Sequence, residues 1–329
     1  MQCRRWWIAA SVMAMVLIGG GMAQAARGAD IEQLVRELGA AHGKDAVDKK
    51  DEIIAGAKGL DPTAQNAYAV AVCQAIENQK LLESKNADTQ AIAVITVVEL
   101  NALNTDGFLI RALTNANPAV RYWAAKGLGQ IMDRLRRAAA SGAAVKALQG
   151  QLKVETSGIV KAQILNAIAL SGDFKEVLAA AKRLEADMKA KAPDAGTIDA
   201  ARTAVDALDF FIEDADSKGT PLPKADCLDA ATVTTHLASY AAQGNHNLND
   251  KKVLPPGNQD AARYLAESGV KLLNAVGKTK ISLPAAKSTD GPDELLLEVN
   301  SVMGSKSIGD GEIQKTLPEV TIPETIDYK

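Results

Sequence analysis

The sequence predicts an all-α protein: a helical array with a C-terminal helical pair and an extended tail. Three observations predict it. Apolar residues recur at three- and four-residue spacing through most of the chain, which places them on one face of successive helices. Alanine is abundant, aromatic residues make up only 4% of the chain, and alternating runs of β-branched residues are scarce. Two stretches in the middle repeat the same helix–turn–helix pattern about 40 residues apart.

The first element is an export signal. Arg4 and Arg5 give a positive start, followed by an uncharged run from Trp6 to Ala26 with its apolar core at Trp6–Ile18. Gly19, Gly20 and Gly21 loosen its far end, and Ala23-Gln24-Ala25 has the small-x-small form that a signal peptidase accepts. The cut is expected after Ala25, giving a signal peptide at 1–25. A retained anchor is the other reading, but the strongly apolar part falls short of the roughly 18–20 residues that span a bilayer. Cys3 precedes the apolar run and is not at a cleavage site, which argues against a lipoprotein. The expected address is periplasmic or extracellular. After cleavage no integral membrane segment is expected. The net charge of −3 becomes more negative once Arg4 and Arg5 are lost, so the mature protein is a poor binder of phosphate backbone and no nucleic-acid partner is expected. It also lacks the basic amphipathic stripe of a membrane-surface helix.

The mature chain then reads as helix after helix. Ile31, Leu34, Val35 and Leu38 mark one face; Ile53, Ile54 and Ala57 mark a second helix near 47–60. Asp61-Pro62-Thr63 breaks the chain and starts a third helix, running to Asn78. Residues 91–104 contain a β-rich stretch, Ile92–Val98, yet Ile92, Ile95, Leu100 and Leu103 persist beyond strand length, which favours a helix. Phe108–Leu113 is a short helix, and Asn115-Ala116-Asn117-Pro118 is a turn. Val120, Ala124, Leu128 and Ile131 follow on one face, with small Ala124, Ala125, Gly127 and Gly129 permitting close approach of a neighbour. The unit then recurs: Val145–Leu152, a turn at Glu155–Gly158, and a second face of Val160, Ile164, Ala167 and Ile168. Leu152 follows Leu113 by 39 residues and Val160 follows Val120 by 40.

Asn117-Pro118-Ala119-Val120-Arg121 with Ala124-Ala125 and Leu128-Gly129 resembles a HEAT repeat. The second copy, Ser157-Gly158-Ile159-Val160-Lys161 with Ile164-Leu165 and Ile168, replaces the proline by Gly158 and the arginine by Lys161. The resemblance is good over 106–135, fair over 143–172 and weak before that. It implies a helical-repeat body in which the proline starts the second helix, the valine is core, and Arg121 and Lys161 tie neighbouring repeats through acidic or carbonyl partners. It also implies a macromolecular binding surface, as an association of the family and not of any residue.

Further helices are expected at 174–191 and at 197–213, the latter with Val205, Leu208, Phe211 and Ile212 inward. A break at 214–226 comes next. A last pair is expected at 230–242 and 258–275, with Tyr264, Leu265, Val270, Leu272 and Leu273 on its apolar side and a polar loop at 244–257 between them. From 279 the pattern weakens. Leu295–Val302 is one short helix or strand, and the end is a tail that is flexible or folds over the body. The predicted divisions are thus a signal peptide at 1–25, a helical repeat domain at 26–215, a C-terminal helical region at 216–278 and an extended or partly disordered tail at 279–329. Cys73 and Cys227 are the cysteines left after cleavage; export permits one bridge, and a buried free thiol at Cys73 is the alternative.

Chemical motifs are sparse. Asp214-Ala215-Asp216-Ser217-Lys218-Gly219 starts like a calcium loop, but Lys218 stands at the fifth position and Ala225 at the twelfth, where oxygen ligands are wanted. His42, His236 and His246 form no short metal-ligand set with the cysteines. There is no glycine-rich phosphate loop, no HExxH helix and no GxSxG turn. No catalytic, cofactor-binding or metal-binding residues are therefore assigned, and no cofactor is expected. A protein-binding edge is the one candidate: Tyr122, Trp123, Lys126, Arg136 and Arg137, with Arg134 adding charge and Asp133 tempering it. The leading expectation is an exported, non-enzymatic scaffold or protein-interaction module with a protein partner. The alternatives are an exported helical enzyme or small-ligand protein centred on Cys227, His236 and nearby carboxylates, and an envelope component whose tail docks elsewhere.

Overall fold

Helix follows helix in the computed structural model, which describes residues 30–284, 291–306, 309–326 and 328. The predicted signal at 1–25 lies outside the described residues. Among the described residues the β-structure is one isolated bridge, Ser305 with Gly309, and no helix is long and apolar enough to cross a membrane. The chain divides into two compact units, one through Gly127 and one from Leu128.

The first unit holds α1 (30–40), α2 (Lys44–Ala55), α3 (Pro62–Asn78), α4 (Ala87–Leu100), α5 (Asp106–Ala112) and the start of α6 (Pro118–Arg137). Asp61 caps α3 by accepting from the Thr63 and Ala64 amides, both at 2.9 Å, with Pro62 in the first turn where its missing N–H costs nothing. The β-rich segment is helical, packed against α2 and α3. Its buried face is Ala93, Val94, Val97, Val98 and Leu100. Ile92 and Ile95, expected to lead that face, are half-buried instead. The helix therefore sits on its smaller side chains, and tertiary packing overrides β propensity. Asn117 opens α6, its carboxamide oxygen accepting from the Ala119 amide at 3.0 Å. Arg121 turns back to donate to the carbonyls of Asn115 and Ala116 at 2.9 and 2.8 Å. These carbonyls follow the end of α5, where a cation is favoured. Gly127 lies under Val98 and Leu109, where an added Cβ would come within 2.7 Å of a Val98 methyl.

The second unit holds the rest of α6, then α7 (Ser141–Leu152), α8 (Gly158–Ala169), α9 (Phe174–Ala190), α10 (Ala195–Ser217), α11 (Lys224–Asp250), α12 (Asn258–Gly277), α13 (Pro292–Met303) and α14 (Glu312–Thr316). Its contacts have a simple order. Each helix packs on its partner (α7 on α8, α9 on α10, α11 on α12), and on the helix two places along. α7, α9, α11 and α13 thus form one row and α8, α10 and α12 another. Leu128, Ile131, Met132 and Leu135 of α6 are each at most 2% exposed. Burial of such a side chain contributes about 1.5–3 kcal/mol.

A close backbone approach in this unit joins the starts of α8 and α10. A Cβ on Gly158 would lie 2.6 Å from the Gly196 carbonyl carbon and from the Thr197 nitrogen, and a Cβ on Gly196 would lie 2.8 Å from the Gly158 carbonyl carbon. Gly158 replaces the proline of the first copy because backbone of α10 occupies the space a side chain would need. Lys161, only 7% exposed, reaches α9 and pairs with Asp187 at 2.6 Å. Farther along, Asp209 of α10 is 2% exposed and is met by Lys271 of α12 at 2.6 Å.

Two expectations change in this unit, and a third falls on one of its alternatives. The break expected at 214–226 is shorter, because α10 continues to Ser217 and α11 begins at Lys224. The loop expected at 244–257 is helical as far as Asp250, and Tyr240–Asn245 are all buried. Gly244 persists inside that helix because Pro193 presses against it, 2.7 Å from where a Cβ would stand. Burial there outweighs the turn propensity of Gly and Asn. Beyond 279, Leu295–Val302 lies within helix α13, and the segment after α14 is extended and packed down, with Val320 and Tyr328 2% and 6% exposed.

Candidate functional site

The five residues of the predicted edge all lie on α6 and fall into two groups. Tyr122, Trp123 and Lys126 belong to the first unit. The two rings meet edge to face at a centroid distance of 5.8 Å, and the Lys126 ammonium sits 4.3 Å above the Trp123 ring. A cation over an indole face is attracted by the ring quadrupole, so these three half-buried side chains form one ordered patch. Arg136 and Arg137 belong to the second unit. Both turn to Asp133, at 2.7 and 2.8 Å. The guanidinium of Arg136 also lies over Gly172 in the turn between α8 and α9. It borders a groove of about 750 Å³ with Lys146, Gln149, Asp173 and Glu176, so the charge there is mixed, not uniformly positive.

The even row carries a surface that the sequence reading did not single out. Ile159 and Leu170 at the two ends of α8, Phe210 on α10 and Tyr264 on α12 are 66%, 50%, 63% and 58% exposed. Asp199, Arg202 and Asp206 of α10 and Glu267 and Lys271 of α12 are likewise not buried. Tyr264 was expected on the inward side. The buried stripe of α12 instead runs through Ala261, Ala262, Leu265, Ala266, Gly269, Leu272 and Leu273, which rotates Tyr264 outward. The signal for Phe210 was present in its spacing: Val205, Leu208 and Ile212 define a face that excludes position 210.

The histidines find partners far along the chain. On α11, His236 Nδ1 donates to Glu185 Oε1 of α9 at 2.6 Å, a carboxylate being an acceptor only. Its Nε2 lies 3.1 Å from the Thr321 hydroxyl and 3.2 Å from the Thr321 carbonyl. Imidazole, carboxylate and hydroxyl stand in a row, but the hydroxyl belongs to the terminal segment that these bonds hold down. Cys227 is a free thiol, like Cys73. Burial, then Asp216 and Asp226, push the Cys227 thiol up from its ordinary value. Burial pushes Cys73 up to about 12. Neither is an activated nucleophile, since the thiolate is the reactive form. His246 also lies on α11, not in a loop. It meets Asp293 at 2.7 Å and Asp250 at 3.5 Å. The three ligand atoms lie within 4.8 Å of one another, and among the described residues this is the group with the spacing to take a metal ion. All three side chains face solvent, which is the setting of a surface histidine between two carboxylates.

Compared with family models, with curated proteins and with solved structures, the chain matches none.

Proposed function

We propose that this chain is an exported, non-enzymatic scaffold: a protein-interaction module built on HEAT-like repeats. The observation that carries the reading is the exposed apolar series on the even row, Ile159, Leu170, Phe210 and Tyr264. Aromatic and aliphatic side chains left open alongside charged ones have the composition of a protein-binding surface, where a few aromatic anchors supply most of the affinity. The repeat reading is supported by the two rows in the second unit, by Pro118 at the start of α6, and by Lys161 reaching an acidic partner, Asp187, on the next helical pair; the Arg121 bonds to Asn115 and Ala116 stay within its own turn. Export rests on the N-terminal signal and its Ala23-Gln24-Ala25 site. Tyr122, Trp123 and Lys126 give the first unit a patch of its own.

The test is the double variant Phe210→Ser, Tyr264→Ser, expressed in the native host and recovered from the exported fraction. The binding partner that co-purifies with the wild-type chain is expected to fall by at least about tenfold, since two exposed anchors each contribute about 1–2 kcal/mol. Undiminished recovery of that partner, with the helical signal intact, would sink the reading.

A further inference from the structure

The segment after α14 packs against α11 and is held by both its backbone and its side chains. At its start, Lys224 in the first turn of α11 pairs with Glu319 at 2.9 Å. His236, three turns on, meets the Thr321 carbonyl and hydroxyl. Gln243, two turns farther, makes a two-pronged contact. Its Nε2 donates to the Glu324 carbonyl at 3.1 Å, and its Oε1 accepts from the Ile326 amide at 2.7 Å. Lys189 of α9 holds the Glu324 carboxylate at 2.7 Å. At the far end the Tyr328 hydroxyl donates to the Met188 carbonyl of α9 at 2.7 Å and lies 3.3 Å from the Tyr240 carbonyl of α11, while Lys251 reaches the Tyr328 carbonyl. Val320, Pro323 and Tyr328 are the buried anchors.

A side-chain amide that bonds one carbonyl and the amide two residues on reads an extended backbone whatever its sequence. The pockets beside it then read alternate side chains. That division of labour is the one used by grooves that bind extended peptides, where main-chain bonds give affinity and pockets give specificity. Burial pushes the Tyr328 phenol well above its ordinary value, so the hydroxyl stays protonated and remains a donor to both carbonyls.

We infer that the groove between α9 and α11 is a binding site for an extended polypeptide segment. It takes an acidic segment with a buried proline and a tyrosine five residues after it, and the chain's own residues 319–326 and 328 fill it in the absence of such a partner. Lys224, Lys189 and Lys251 set the preference for acidic residues and for a carbonyl at the end. Gln243 reads the backbone, and His236 Nε2 accepts from the Thr321 hydroxyl. The Met188 and Tyr240 carbonyls, facing an OH donor, select tyrosine over phenylalanine. This site lies on the odd row and stands independently of the even-row surface proposed above.

The experiment uses full-length chains and a fluorescein-labelled peptide of residues 317–329. In the full chain carrying Val320→Ser, Pro323→Ser and Tyr328→Ser, the tethered segment loses its anchors and the labelled peptide is expected to bind saturably. The wild-type chain is expected to bind it at least about tenfold more weakly, because a tethered competitor acts at millimolar effective concentration. A peptide with phenylalanine in place of the tyrosine is expected to bind about fivefold more weakly, the equivalent of one lost hydrogen bond. Adding Gln243→Ala to the triple variant is expected to weaken binding about 25-fold, the equivalent of two lost hydrogen bonds. If the triple variant does not fold, the full chain with Tyr328→Phe alone supplies the comparison, with peptide binding about fivefold tighter than wild type. Absence of saturable binding up to about 1 mM in whichever variant folds overturns the inference. Exchange of the segment between two copies, seen as wild-type dimers that dissociate when peptide is added, would overturn the assignment to a separate partner.

Discussion

Gly158→Ala adds one methyl group where the backbones of α8 and α10 approach closely in the second unit. The new Cβ would stand 2.6 Å from two backbone atoms of α10 and 2.7 Å from Asp194 Oδ1. Ordinary contact begins near 3.4 Å, so one helix start must retreat by about 0.8 Å. Neither can do so alone, because α8 and α10 pack along their lengths. Overpacking of this kind costs about 1–3 kcal/mol. The same shift disturbs the cap in which Asp194 accepts from the Thr197 amide at 2.7 Å, an interaction of about 1 kcal/mol. Alanine's better helix propensity returns at most about 1 kcal/mol. The net expectation is a loss of about 1–3 kcal/mol, or about 2–4 °C of melting temperature for each kcal/mol in a unit of this size. Gly150→Ala is the internal control. It lies inside α7 with nothing within 4 Å of its added Cβ, and it should gain about 0.5–1 kcal/mol. Urea unfolding followed by far-ultraviolet circular dichroism, with an unchanged m-value, measures both. A Gly158→Ala protein as stable as Gly150→Ala would refute the claim that this contact sets the spacing of the two helices.

The Lys161–Asp187 tie gives an asymmetric pair of outcomes. Asp187→Ala strands a buried ammonium and should cost about 1–2 kcal/mol, below the usual buried-pair figure because Asp187 is partly exposed, whereas Lys161→Met should be near neutral; equal losses in urea unfolding would show that the charge pair itself supplies the stability. Export predicts a mature protein whose first residue is Ala26, read by N-terminal sequencing of the exported fraction. An N-terminus at Met1 would return the retained-anchor reading.

How much of this was legible depended on how far a signal reached along the chain. Local signals were read well. The Asp61-Pro62 start of α3, the Asn117-Pro118 start of α6 and the copied face of Val160, Ile164 and Ile168 are written in adjacent residues, and the helices follow them. Signals that depend on packing were misread. Gly244, Asn245 and Asn247 look like a loop until Pro193, fifty-one residues before Gly244, buries the first of them inside α11. Ile92 and Ile95 look like the core face of α4 until smaller neighbours take that role. The histidine pairs were invisible, because Glu185 and Thr321 lie 51 and 85 residues from His236. The terminal segment looked like a tail because its anchors are few and far apart. Its partners on α9 and α11 lie between 77 and 140 residues away in the chain, which leaves no local pattern in the sequence. The edge on α6 was found from residue type alone, and type does not reveal that Asp133 holds both arginines.

The most direct test of the interaction reading places a photo-reactive residue at position 210 on α10, with a second protein carrying it at Ala143, an exposed site on α7. Irradiation of the exported fraction in its native host should join position 210 to one discrete protein, identified by mass spectrometry, while position 143 gives no such adduct. A chain that forms no adduct from position 210, or the same diffuse adducts from both, would contradict a scaffold that binds through its even row.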